Sequence, residues 1–202
     1  MSEFQAYLSL GFDHITDPNG YDHILFVIAL CAIYSFQDWK KLLILITAFT
    51  VGHSITLALA TLQLITYSSA LIELLIPITI FITALTNFAE PEKQMSQSSK
   101  LRYGLALCFG LIHGMGFSNY LRSLLGSQES IIMPLFSFNV GLEIGQLLIV
   151  AIALLIFSVF IELVRVKKST WNHLISGIVA GMALSLILNN ELFRTVLGQS
   201  AE

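Results

Sequence analysis

The sequence predicts an all-α integral membrane protein built as one helical bundle, and three observations carry that expectation. Of 202 residues, 55% are hydrophobic and 11% are charged, less than half of the roughly 25% charge typical of a soluble domain. Mean hydropathy is +0.79. Apolar windows long enough to cross a bilayer recur along the chain, separated by short polar connections. Six spans of about 20 residues each leave no room for a second soluble domain. The expected organisation is therefore a single membrane domain over 1–202, with an outer N-terminal segment 1–21, a bundle 22–190 and a short outer tail 191–202.

The N-terminal segment carries Glu3, Asp13 and Asp17 but no Lys or Arg, which suits the outer face. The first span is expected at 22–38; no basic residue precedes it and no small-residue cleavage site follows, so it reads as a retained helix rather than a signal peptide. The others are expected at 42–62, 70–88 with a kink at Pro77, 103–121, 138–162 and 174–190. Breakers and charges fall between them, from Gln37 to Lys41, Gln63 to Ser69, Ala89 to Arg102, Arg122 to Pro134 and Arg165 to His173. Lys40, Lys41, Lys93, Lys100, Arg102, Arg165, Lys167 and Lys168 all fall on one side of such a bundle, against Arg122 and Arg194 on the other. Basic residues near helix ends stay cytoplasmic, so both termini are expected outside, N-out and C-out.

Close packing is signalled by G-x-x-x-G spacings at Gly110 and Gly114, Gly141 and Gly145, and Gly177 and Gly181. Phe49-x-x-x-His53 and Phe109-x-x-x-His113 suggest a duplicated element.

Ionisable groups within a bilayer are costly and usually face a bundle interior with partners. Asp22 and His23 open the first span, His53 and Ser54 lie in the second, Glu73 opens the third, His113 lies in the fourth and Glu143 in the fifth, with His14 in the N-terminal segment. At 1.5 Å per residue, His53 lies about 13 Å, His113 about 10 Å and Glu143 about 7 Å below the outer ends of their spans, so a site in the outer half is expected. Asn139, Glu143 and Gln146 repeat at helical spacing and predict a polar face lining a cavity. Histidines and a carboxylate from separate helices match the ligands of zinc, nickel, cobalt or copper. The expected ligands are His23, His53, His113, Asp22 and Glu143, while His14, Ser54, Glu73, Asn139 and Gln146 orient them or line the approach. His173, beside the inner basic loop, is expected at the membrane interface rather than at the site.

Several chemistries are disfavoured. The two cysteines, Cys31 and Cys108, lie in apolar runs and supply no thiolate cluster. A net charge of -3 offers no basic stripe for nucleic acid. There is no H-E-x-x-H helix and no P-loop.

Four stretches, Gly20-Tyr-Asp-His-Ile-Leu-Phe26, Phe49-Thr-Val-Gly-His-Ser-Ile-Thr-Leu57, Gly110-Leu-Ile-His-Gly-Met-Gly-Phe117 and Asn139-Val-Gly-Leu-Glu-Ile-Gly-Gln146, cover four of the expected spans. In them the chain resembles the HupE/UreJ family of small bacterial membrane proteins. The resemblance implies a multi-pass protein of the bacterial inner membrane, a candidate nickel or cobalt permease associated with metalloenzyme maturation partners of hydrogenase or urease. The chain departs from many such proteins in lacking an evident N-terminal signal sequence.

Three functions follow. In a divalent-metal permease, His23, His53, His113 and Glu143 replace the water of the ion. In a zinc-dependent intramembrane hydrolase, three such ligands leave a position for activated water and a carboxylate acts as base. A non-catalytic metal or redox subunit is the third. A permease needs polar groups through the inner half as well, where the sequence supplies mainly Thr47, Thr50, Thr83, Thr86, Asn87 and Ser158.

Overall fold

A computed structural model describes residues 2–88, 99–126 and 130–198. Residues 89–98 of the expected connection, Lys93 among them, and the end of the outer tail lie outside them. Among the described residues all regular structure is helical: α1 (Glu3–Thr16), α2 (Asp22–Cys31), α3 (Trp39–Thr61), α4 (Ser69–Phe88), α5 (Ser99–Leu125), α6 (Ile132–Ser158), α7 (Lys168–Asn189) and α8 (Glu191–Val196). A 3-10 turn over Phe36–Asp38 leads into α3, and a π-helical turn over Val159–Leu163 closes α6.

Four helical stretches, Phe36–Thr61, Ser69–Phe88, Ile132–Leu163 and Lys168–Asn189, are long and apolar enough to cross a membrane. The other two expected spans depart from expectation. α5 has 27 residues, about 40 Å of helix, but Lys100, Arg102, His113, Asn119 and Arg122 dilute its apolar character. α2 has ten residues, about 15 Å, half the hydrocarbon thickness. It stops at Cys31 because Ser35 and Asp38 form a capping box that starts a new helix. The Ser35 Oγ donates to Asp38 Oδ2 at 3.0 Å, and Lys41 Nζ to Asp38 Oδ1 at 2.9 Å.

The segment 1–21, expected as an outer N-terminal segment, holds α1. α1 packs along α6 with the two backbones touching. A Cβ on Gly11 would meet the Phe138 carbonyl, one on Gly141 the Leu8 carbonyl, and one on Gly145 the Ile15 side chain. Rising numbers meet rising numbers, so the two helices run parallel. α2 continues along the same neighbour, with Ile24, Ile28 and Cys31 sharing a groove with Ile149, Ile152 and Ile156. Together α1 and α2 form one discontinuous path beside α6. The break falls at 17–21, where Pro18 lacks a donor and Asp17 Oδ1 accepts from the Asn19 backbone N–H at 2.8 Å, a self-contained turn.

α3 and α5 form a second parallel seam of the same design. A Cβ on Gly52 would meet the Leu107 carbonyl, on Gly110 the Phe49 carbonyl and on Gly114 the His53 carbonyl. Across it Thr56 Oγ1 donates to the Leu111 carbonyl at 2.7 Å. The α1–α6 and α3–α5 seams are alike in setting glycines of one helix against backbone carbonyls of the other. Gly177 and Gly181 serve no such contact; nothing lies within 4 Å of a Cβ at Gly181. Gly110→Ala is expected to destabilise the protein by about 1–3 kcal/mol, because a backbone must move. Gly181→Ala is expected to change stability by less than about 0.5 kcal/mol. Thermal unfolding in detergent compares them, and equal melting would refute the seam.

Candidate metal centre

Four histidines meet where the discontinuous helix breaks. His14 lies in the last turn of α1 and His23 in the first turn of α2, so the break folds their rings to a centroid separation of 4.7 Å. His23 is 5.0 Å from His113 of α5 and 6.1 Å from His53 of α3. His14 is 6.3 Å from His53. His53 and His113 stay together because their helices touch through Gly110 and Gly114. The walls are aromatic: Phe117 lies 4.0 Å from His14, Phe49 5.2 Å and Phe26 5.5 Å from His113. His53 and His113 are fully buried and His23 nearly so.

The ring nitrogens point to a ligand. His14 Nε2, His23 Nε2, both nitrogens of His53 and His113 Nδ1 are buried with no hydrogen-bond partner. Leaving one such atom unsatisfied costs about 1–3 kcal/mol, and a cluster of them needs a reason. Their neighbours assign the tautomers. Asp22 Oδ1, 3.0 Å from His23 Nδ1, accepts its proton, which leaves Nε2 with a free lone pair. The Thr79 hydroxyl donates to the Ile76 carbonyl at 2.7 Å. It therefore accepts from His113 Nε2–H at 3.2 Å, and His113 Nδ1 keeps its lone pair. Converging lone pairs among aromatic rings, with a carboxylate fixing one imidazole, are the donor chemistry of a transition-metal site.

Two groups have donor atoms within 4.8 Å of one another: His14, His23 and His53; and Asp22, His23 and His113. The expected His23, His53, His113 and Asp22 are thus brought together. Glu143 is not; half-buried, it accepts from Thr47 Oγ1 at 2.8 Å and belongs to neither group. The reason is rotational: Gly141 and Gly145 turn toward α1, and position 143, about 200° round the helix from 141, faces α3. Gln146 on that face accepts from Thr50 Oγ1 at 2.8 Å. Asn139 Nδ2 donates to the Leu135 carbonyl, leaving its Oδ1 buried without a hydrogen-bond partner, and Ser54 Oγ donates to the Thr50 carbonyl. Exposed His173 stacks on Phe88.

His113 and Thr79 stand midway along α5 and α4, and α5 runs on to Leu125, about 18 Å beyond His113. Two clefts reach the cluster. One of about 560 Å³ is lined by Asp13, His14, Asp17, Phe117 and Tyr120. The other, about 280 Å³, is lined by Gly20, Asp22, Glu73, Pro77 and Asn190. Expected only to orient ligands or line the approach, His14 instead belongs to a donor group, and Thr79 was missed. A sequence signal existed for His14, since Gly11-Phe-Asp-His-Ile15 recurs as Gly20-Tyr-Asp-His-Ile24.

Below the cluster, Thr79, Thr83 and Asn87 line the buried face of α4 one turn apart. Thr83 Oγ1 donates to the Thr79 carbonyl at 2.8 Å, and buried Arg102 donates to Asn87 Oδ1 at 3.2 Å. A cavity of about 20 Å³ lies among Thr83, Thr86 and Arg102, room for about one water.

No curated protein and no solved structure matches the chain. The family described as HupE / UreJ protein matches residues 1–190. With nearly the whole chain covered, including every residue of the histidine cluster, the protein belongs to the HupE/UreJ family.

Proposed function

We propose that the protein is a divalent transition-metal permease of the bacterial inner membrane, with nickel or cobalt, the ions the family resemblance implies, as cargo for metalloenzyme maturation partners. The observation that carries metal binding is the set of buried, unpartnered imidazole nitrogens on four rings. His14, His23, His53 and His113, with Asp22 as orienting or coordinating carboxylate, replace the hydration shell of the ion. Passage onward is supported by the buried oxygens of Thr79, Thr83 and Asn87, which continue the polar path into the inner half. A hydrolase draws less support, because the family resemblance implies metal handling and Glu143 belongs to neither donor group.

Six crossings, N-out and C-out, suit this role when α1 and α2 count as one crossing. Both clefts then open outward, and Lys40, Lys41, Arg165, Lys167 and Lys168 lie inside. In intact cells, a cysteine replacing Ser2 is expected to react with an impermeant thiol reagent and one replacing Lys168 to stay unlabelled; the reverse pattern overturns the topology.

Metal analysis of purified protein, followed by nickel(II) or cobalt(II) uptake into proteoliposomes, tests the function. Bound metal with saturable uptake is the expected result. Bound metal without uptake removes transport and leaves a metal-holding protein.

A further inference from the structure

The two donor groups differ in composition. His14, His23 and His53 offer three imidazoles; Asp22, His23 and His113 offer two imidazoles and a carboxylate; His23 alone is common. Within each group the donor atoms all lie within 4.8 Å of one another, and two ligands on one ion at about 2.1 Å stand at most about 4.2 Å apart. Small side-chain movements suffice to close either group on an ion, and the geometry singles out neither one.

The mobility of the ligands is unequal. His53 and His113 ride on helices whose backbones touch, so neither can travel far. His23 opens a ten-residue helix directly after the break at 17–21, and its ring stands 4.7 Å from His14 and 5.0 Å from His113. Of the ligands, it is the one placed to lean either way.

We propose that the bundle holds its ion at two overlapping positions, His14–His23–His53 and Asp22–His23–His113, and that the ion steps between them while His23 stays bound. The proposal rests on the metal-binding reading above. The step is a ligand exchange: nitrogens of His14 and His53 leave, a nitrogen of His113 and an oxygen of Asp22 enter, and no electron changes hands. Asp22 changes role in the exchange. With the ion among nitrogens, its Oδ1 accepts from His23 Nδ1 and aims Nε2. With the ion at the second position it is a ligand, bringing negative charge against the cation. That charge matters in a cage walled by Phe26, Phe49, Phe117 and Phe138, where a divalent ion held by neutral nitrogens alone keeps its full charge in a low dielectric. Each position borders a cleft, the first at His14 and the second at Asp22, and the second also touches Thr79 through His113, where the threonine face of α4 begins. Two unlike positions also avoid the trap of a single tight site, since a carrier must release what it binds.

Nickel(II) is the probe, with purified full-length protein in nanodiscs, equilibrium titration and X-ray absorption of the bound metal. His14→Ala and His113→Ala are each expected to keep one ion per chain with affinity lowered about tenfold, while His23→Ala, which damages both positions, lowers it at least about hundredfold. The coordination shells are expected to differ. His14→Ala should show two imidazoles and a carboxylate oxygen, and His113→Ala three imidazoles. His14→Gln and His113→Gln repeat the comparison should an alanine variant misfold, and helicity with monodisperse elution shows that each fold is intact. Identical shells in the two variants, or either single loss abolishing binding as completely as His23→Ala, would mean one undivided site and overturn the proposal. A parent protein that binds no nickel(II), cobalt(II) or zinc(II) removes the metal reading and this one with it. Metal bound by the parent with identical variant shells removes only the two positions.

Discussion

Proteoliposomes carrying Thr83→Val are expected to take up nickel(II) at least about tenfold more slowly than the parent, with equilibrium affinity unchanged. Valine keeps the shape of threonine and removes its oxygen. Thr83 is buried one turn below Thr79, outside both donor groups, so the ion-binding atoms are untouched. Its hydroxyl proton is committed to the Thr79 carbonyl, which leaves oxygen lone pairs toward the small cavity shared with Thr86 and Arg102. A cation passing there loses one oxygen contact, and about 1.4 kcal/mol of lost stabilisation at the barrier is tenfold in rate. An entrapped metal-sensitive dye measures the flux. Unchanged uptake by a folded Thr83→Val protein would assign the threonine face to packing and remove the inner route.

Asn87→Leu is expected to cost about 3–5 kcal/mol of stability, the largest single loss among the substitutions considered. Asn87 is fully buried, and its amide satisfies groups on three other helices. Its Nδ2 donates to the Ala29 carbonyl at 2.9 Å and to Ser176 Oγ at 3.1 Å, while its Oδ1 accepts from Arg102 at 3.2 Å. Leucine removes one of two donors to the Ala29 carbonyl, which keeps the Ala32 backbone N–H at 3.4 Å, and takes an acceptor from a buried cation. Asn189→Leu, which removes exposed bonds to Ser185 at the end of α7, is expected to change stability by less than about 0.5 kcal/mol. Denaturation in detergent compares the two. Similar losses would mean that the buried network does not hold the inner half of the discontinuous helix.

The membrane character was legible because hydrocarbon selects so strongly on composition. α3, α4, α6 and α7 coincide with apolar windows that no soluble surface could carry. The same signal failed at the N-terminus. Glu3 and Asp13 made α1 look like an outer segment, yet its Gly11 and Ile15 face lies against the glycines of α6, and a helix with one polar side can pack by the other. At 22–38 hydropathy ran on through a stop that hydrogen bonding imposes, the Ser35 and Asp38 capping box, whose spacing was present in the sequence.

The site divides along a similar line. Asp22, His23, His53 and His113 stood out in the sequence because an ionisable group in an apolar run is expensive wherever the helix points, so its presence alone signals a function. Glu143 met the same test yet lies in neither donor group, whereas His14, expected to orient ligands or line the approach, lies in one. Helical periodicity orders side chains around one axis but leaves undefined which neighbour each face meets. That azimuth is set by where backbones can approach: Gly141 and Gly145 admit α1 and carry Glu143 round to Thr47, while the turn at Asp17 to Tyr21 folds His14 back onto His23. The kinds of candidate donor follow from residue chemistry, whereas their grouping into two sets sharing His23 depends on contacts between helices distant in the chain, which no local pattern encodes.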